Sequence, residues 1–306
     1  MTHFVTLISD PAVPRVTDGT VVSARWALED VGAEAAAPEW LARQVACDIP
    51  FTGSDPKTVQ QAIKASVGRA PVDVVVTAAR NRRKRLLVSD MESTIIRNEM
   101  VDDLADLLGV GAIVKEITQR AMNGDIPFRA ALAKRVELLG GLEQDFLLAL
   151  RYRIVFMPGA QTLVRTMHAN GALTMLISGG FRIYAEYVQE KCGFDTYVAN
   201  DIVLKDGVLT GRLVEPVLGV KGKQEAMDAF LGDRNLTRDD TLAVGDGAND
   251  VLMLQAAGAG VAFRAKPAAA AAAQHRIKFG DLTALLYLQG YRRDEFKTAK
   301  AGARVT

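Results

Sequence analysis

Cysteine is nearly absent: Cys47 and Cys192 are the only two in 306 residues. That excludes a disulfide framework and a cysteine-built zinc site, and both read as small core residues in a reducing compartment. The three histidines, His3, His168 and His275, are scattered, with no pair at a metal-binding helical spacing. No apolar run approaches the roughly 20 residues that cross a bilayer, and the N-terminus has no basic stretch leading into an apolar one. Charge of one sign is also lacking. A net +1 gives no broad electrostatic footprint for nucleic acid, and no internal repeat is visible. These absences predict a soluble, cytoplasmic protein with neither membrane nor nucleic-acid partners.

What is present suits an α/β enzyme. Hydrophobic residues make up 49% and charged residues 24%, enough for a sizeable core, and the length suits two domains with an insertion. Residues 1–80 predict a small α/β module. His3 to Ile8 and Val72 to Thr77 read as strands, and Asp55 to Val67 as a helix capped by Asp55 with Pro56 in its first turn. The run Asn81-Arg82-Arg83-Lys84-Arg85 reads as a solvated linker.

From residue 98 to 157 the β-branched runs vanish and apolar residues recur at helical spacing: Val101, Leu104, Leu107 and Leu108, then Ile113 and Ile117. Such a block is long for one crossover and predicts a helical cap inserted over strand ends. After Pro158-Gly159 the alternation of strand and helix resumes to about residue 290. It includes a hairpin around Asp206-Gly207, a helix from Lys223 to Leu231, and an Ala-rich helix from Pro267. The tail, residues 291–306, reads as polar and frayed.

The chemistry gathers where strands end. Leu86-Leu87-Val88-Ser89 is a short apolar strand delivering Asp90, with Glu92 two residues on. A strand running into a helix cap would look the same, but two other predicted strands end in comparable turns, at Ser178-Gly179-Gly180 and at Asp246. In a parallel sheet those ends share one edge, where ligands bind. Asp90, Glu92 and Asp246 are hard oxygen donors suited to Mg²⁺. The Ser178-Gly179-Gly180 turn predicts a helix N-terminus that receives an anion, and Lys223 supplies a point positive charge. Carboxylates, a lysine and a phosphate cradle together describe phosphoryl transfer.

Asp90-x-Glu92-Ser93-Thr94, Ser178-Gly179-Gly180-Phe181, Lys223 and Gly245-Asp246-Gly247-Ala248-Asn249-Asp250 resemble, in order, the four motifs of the haloacid-dehalogenase-like phosphatases, and most closely those of its phosphoserine phosphatases. The resemblance covers roughly residues 86–290. It implies a Rossmann-like doubly wound parallel sheet (86–97 and 158–290) and the helical cap at 98–157; separately, the alternation of strands and helix in residues 1–80 resembles an amino-acid-binding ACT regulatory module. By resemblance Asp90 is the nucleophile and Glu92 the general acid. Mg²⁺ would lie on Asp90, Asp246 and the backbone carbonyl of Glu92, with Asp250 supporting its waters. Ser178, Gly179, Lys223 and Asn249 would hold the phosphoryl group, and Glu99 and Arg135 the ammonium and carboxylate of O-phosphoserine. Lys221, two residues before Lys223, would be a loop charge. The resemblance leaves room for a homodimer and for an amino-acid effector at the N-terminal module.

The family pattern carries Asp where this chain has Glu92. Both are carboxylic acids of similar reference pKa, yet one methylene changes reach at a site where geometry is critical. A phosphatase of another small phosphomonoester, a phosphotransferase of the same fold, and a binding regulator with blunted turnover therefore stand as alternatives.

Overall fold

The computed structural model describes residues 1–122 and 125–298. The chain starts as β1 (His3–Ile8), α1 (Asp18–Asp30), β2 (Glu34–Ala35), β3 (Glu39–Ala42), β4 (Ala46–Thr52), α2 (Pro56–Val67) and β5 (Asp73–Ala78). These strands form an antiparallel sheet in the order β2-β4-β1-β5, with β3 also paired to β4. The period of two in β1 explains how both faces are used. Val5 and Leu7 pack with α1 and α2, among Val21, Leu28, Val59 and Ile63. Ile8, on the opposite face, joins the larger core with Val75. The capping of α2 is as expected: the Asp55 side chain accepts from the Thr58 N–H, and Pro56 occupies the first turn.

The second sheet is wholly parallel, ordered β13-β12-β11-β6-β7-β8. Its strands are β6 (Leu86–Ser89), β7 (Leu173–Phe181), β8 (Thr196–Asn200), β11 (Thr241–Gly245), β12 (Ala259–Phe263) and β13 (His275–Ile277). From β6 the chain winds outward through β7 and β8, then returns to add β11, β12 and β13 on the other side. The order therefore reverses at β6, which makes the crevice beyond Ser89 the topological switch point.

Between β6 and the helix α7 (Ala160–Ala169) lie α3 (Met100–Leu107), α4 (Gly111–Met122), α5 (Phe128–Glu137) and α6 (Gln144–Leu150). Val101, Leu104, Leu132, Val136, Leu139 and Leu147 are buried, but Leu107, Leu108 and Ile113 face solvent; the apolar stripe is wider than the face it buries. The hairpin β9 (Ile202–Lys205) and β10 (Val208–Leu213) leans on this block through Gly141 N–H to Leu209 O and Leu209 N–H to Leu142 O, each 2.8 Å. The remaining helices are α8 (Arg182–Cys192), α9 (Val220–Asp233), α10 (Val251–Ala256), α11 (Pro267–Ala272) and α12 (Ala284–Tyr287).

Two expectations are corrected here. The basic run at 81–85 is not a solvated linker. Arg82 is mostly buried and forks onto Asp48 at 2.6 and 2.8 Å, while also donating to Thr6 Oγ1 and to the Leu288 carbonyl, each at 2.9 Å. A planar guanidinium with five donors suits such a junction between β1, β4 and the chain after α12. Tyr291 to Lys297 is likewise packed rather than frayed. Tyr291 is buried, Arg83 pairs with Glu295, Phe296 lies 5.1 Å from the Tyr287 ring, and the Lys297 N–H reaches Thr166 Oγ1 at 2.8 Å. The expected fraying of 299–306 lies outside the described residues.

Candidate active site

β6 ends at Ser89, and the Asp90 N–H continues the ladder onto Val244 O at 2.9 Å, so the sheet itself aims Asp90 into the switch-point crevice. The next turn doubles back: the Ile95 and Ile96 N–H groups both reach Met91 O, and Ser93 takes a left-handed φ of 55°. Strained backbone of this kind gathers where function holds it. The turn brings the Ser93 hydroxyl to Glu99 Oε1 at 2.7 Å. It also folds Glu92 inward, where its Oε1 accepts the Met100 N–H at 2.8 Å. A Cβ on Gly180 would lie 3.0 Å from the Glu92 carboxylate, so the glycine lets that carboxylate pack close against the strand end.

Lys223, 1% exposed, donates to Asp90 Oδ1 at 2.5 Å and to Asp250 Oδ1 at 2.7 Å. The other Asp250 oxygen accepts the N–H groups of Asp246 and Gly247 at 3.1 and 3.0 Å. Asp250 thus locks the turn after β11 and orients the lysine. A Cβ on Gly245 would meet the Asp250 carboxyl carbon at 2.5 Å, which demands glycine there.

The electrostatics follow from burial. Burial raises the Asp90 carboxyl well above its ordinary range, reinforced by Asp250 and opposed by Lys223. Burial, with the Glu99 charge second, pushes Glu92 up to about 8, despite the Met100 N–H and the charge of Arg135. Asp246 rises to about 6 through burial, against the pull of Lys266. Burial works to lower Lys223, but the charges of Asp250 and Asp90 outweigh it and raise it. Burial thus favours the protonated form of Glu92.

A cavity of about 290 Å³ is lined by Asp90, Glu92, Glu99, Arg135, Gly179, Asp246 and Asn249, with Val101 and Leu132 on the helical side. Lys223 reaches its wall through Asp90, and Ser178, buried, turns its hydroxyl to accept the Gly180 N–H at 2.9 Å. Arg135 is near Asp102 at 3.7 Å, but its buried Nε has no hydrogen-bond partner. A fork with an idle donor at a cavity wall is suited to receive a carboxylate.

Two local expectations fail. Ser178-Gly179-Gly180 does not open a helix. β7 runs on to Phe181, bulged against β8 between Ser178 and Phe181, and α8 starts at Arg182. The extended glycine backbone, rather than a helix N-terminus, lines the cavity there. Lys221 is not in a loop, because α9 starts at Val220; it is an exposed helical residue. Lys266 was missed. Its Nζ lies 3.4 Å from Asp246 Oδ2 and 3.9 Å from Glu99 Oε1, at the cavity wall. It follows β12 just before the proline that starts α11, so the strand-end rule that singled out Asp90 and Asp246 also applied to it.

Asp90, Asp246 and Asp250 each bring a carboxylate oxygen to within 4.8 Å of the others, all buried. Three buried carboxylates, two of them on Lys223 and the third near Lys266, gather hard oxygen donors of the kind that hold a small divalent cation. Both Asp250 oxygens are already engaged, which leaves Asp90 and Asp246 as the side chains best placed to hold it.

The model of the haloacid dehalogenase-like hydrolases matches residues 87–255, more than half the chain. The chain belongs to that family. Within it, the similarity runs to phosphoserine phosphatases. The chain is 41% identical to the phosphoserine phosphatase of Idiomarina loihiensis, over 66% of this chain and 91% of that protein. It is 36% identical to that of Streptomyces coelicolor, over 83% of this chain, but spans only 62% of that relative's length. The structure of a probable phosphoserine phosphatase from Vibrio cholerae superposes with a TM-score of 0.76 at 27% identity, covering 96% of this chain and 88% of that one.

Proposed function

We propose that this chain hydrolyses O-phospho-L-serine to L-serine and phosphate, with Mg²⁺, through a phosphoryl group carried on Asp90. One observation carries the reading: a single cavity holds a strand-end carboxylate on a buried lysine, a carboxylic acid whose protonated form burial favours, and a Glu99/Arg135 pair of opposite charge. That charge pattern complements a phosphomonoester attached to an amino acid.

In this reading Asp90 attacks phosphorus, forming a new O–P bond as the bond to the serine oxygen breaks. Glu92 gives its proton to the departing oxygen, then takes one from the water that frees the phosphate. Lys223, Ser178, Gly179 and Asn249 hold the phosphoryl oxygens, Glu99 faces the ammonium and Arg135 the carboxylate. Mg²⁺ would be held by Asp90, Asp246 and the backbone carbonyl of Glu92, and when bound it supplies positive charge that lets nucleophile and phosphate approach. Helices α3–α6 act as a cap over residues 86–97 and 158–290. Residues 1–80 act as an ACT-like module that takes an amino-acid effector or pairs two chains in a homodimer. No described helix is long and apolar enough to cross a membrane.

Phosphate release from phosphoserine, phosphothreonine and sugar phosphates, with and without Mg²⁺, tests the proposal. Mg²⁺-dependent release fastest from phosphoserine is expected; equal rates on all, or none, refute it.

Two further outcomes follow from the site. Since Glu92 must donate a proton and burial holds its pKa near 8, kcat/KM is expected to fall as pH rises through about 8. Glu92→Gln is expected to abolish that limb together with most turnover. Arg135→Ala should raise KM for phosphoserine roughly 10- to 100-fold, the loss of a charge-assisted bidentate contact, and far less for phosphoethanolamine, which lacks the carboxylate. Equal effects on both esters would remove Arg135 from the substrate site.

A further inference from the structure

A second cavity, of about 510 Å³, shares no lining residue with the first and lies between α2 with its following turn, β5, and the segment β13 to Phe279. Its charged lining is one-sided: Lys64 and Arg69 on one wall, Arg276 and Lys278 on the other. Among the described residues none of these four has a carboxylate within 4.0 Å; Lys278 only overlies the Phe279 ring, at 5.0 Å. The one carboxylate in the lining, Asp73, is already spent, accepting the N–H groups of Lys278, Phe279 and Gly280 at 2.8 to 3.0 Å. The local excess is therefore three positive charges in a chain whose net charge is +1. The C-terminal end of α2 brings an opposing dipole of about half a charge, too small to cancel four cations.

All four cations are exposed and solvated, so they cost little repulsion, but grouped around one concavity they raise the local concentration of anions. The Asp73 contacts fix the two walls relative to each other, so the cavity is pre-formed. Between the cations the lining is apolar: Val67, Ala70, Val72, Val74 and Phe279. The volume falls in the range that takes small molecules, roughly 300–1,000 Å³. The geometry points to a binding site here for a small polyanion with an apolar or planar body, of the nucleoside polyphosphate class, bridging the antiparallel sheet and the parallel one. This goes beyond the phosphatase reading and does not depend on it.

The test is calorimetric titration of the full chain with ATP in the presence of a chelator, with pyrophosphate and inorganic phosphate as separate arms. Saturable, submillimolar ATP binding is expected, weakening as salt is added, with pyrophosphate weaker and phosphate weaker still. The double variants Lys64→Ala/Arg69→Ala and Arg276→Ala/Lys278→Ala should each weaken ATP by roughly tenfold or more, through loss of charge-assisted bonds. Their melting temperatures without ligand, and their hydrolysis of phosphoserine, should match the parent, which separates this site from the catalytic one. No saturable ATP binding up to millimolar concentration would overturn the inference, as would binding that both double variants keep. Pyrophosphate binding as tight as ATP would overturn the nucleoside assignment.

Discussion

Asp90→Asn is expected to lower phosphate release by about 10⁴-fold or more, while leaving the protein folded. An amide is a poor nucleophile, and the neighbouring Asp250 is no substitute, because both its oxygens are held by Lys223 and two backbone N–H groups. When a covalent route depends on one nucleophile, its loss removes nearly all the rate above background. The fold should tolerate the change. Asn is isosteric and Lys223 keeps its contact with Asp250, so a buried ion pair survives. Steady-state release with phosphoserine, alongside a melting curve, checks both halves. A variant that retains a tenth of the activity would rule out Asp90 as the nucleophile.

Lys223→Met should damage both activity and stability. Lys223 is the buried cation between Asp90 and Asp250, which are 4% and 0% exposed. Removing one partner of a buried ion pair typically costs about 3–5 kcal/mol, since the remaining charge is stranded; here two are stranded. Turnover should fall roughly 10²- to 10³-fold, because the proposed mechanism sets this positive charge against the developing phosphoryl charge. The sign of the pH dependence is diagnostic. In the parent, the raised pKa of Lys223 means its contribution is fully present below the unfolded lysine value and is lost only as pH rises past the folded one. In the variant, Asp90 loses the lysine that opposes its burial, so its carboxyl favours the neutral form and stability should recover as pH falls from 7 toward 5. Chemical denaturation at both pH values, in a chelator, measures it. Equal loss at pH 5 and pH 7 would show that Lys223 matters for packing rather than charge.

Much of this arrangement could be read from residue order. Strands β1, β6, β11 and β12 announce themselves as short apolar runs, and α2 by Asp55 and Pro56, because local propensity and tertiary placement agree there. The three strand ends that meet at the switch point follow from parallel topology alone, and the structure brings Asp90, Asp246 and the Gly179-Gly180 backbone to one cavity. What escaped depends on partners distant in sequence. The basic run at 81–85 looks like solvated charge until Asp48 and the Leu288 carbonyl are seen around Arg82. The strand β4 carries Asp48 and Pro50, both poor strand formers, and its place is set by pairing with β1. Ser178-Gly179-Gly180 reads as a turn because glycine favours turns; here the glycines extend a bulged strand beside Glu92. Lys266 was hidden behind the Ala-rich helix that follows it.

The most direct test of the account is to quench the protein in acid during turnover of phosphoserine with Mg²⁺, digest it, and locate the phosphoryl adduct by mass spectrometry. The account predicts the adduct on the Asp90 side chain and none in Asp90→Asn. An adduct on another residue, or full turnover by Asp90→Asn, would contradict it.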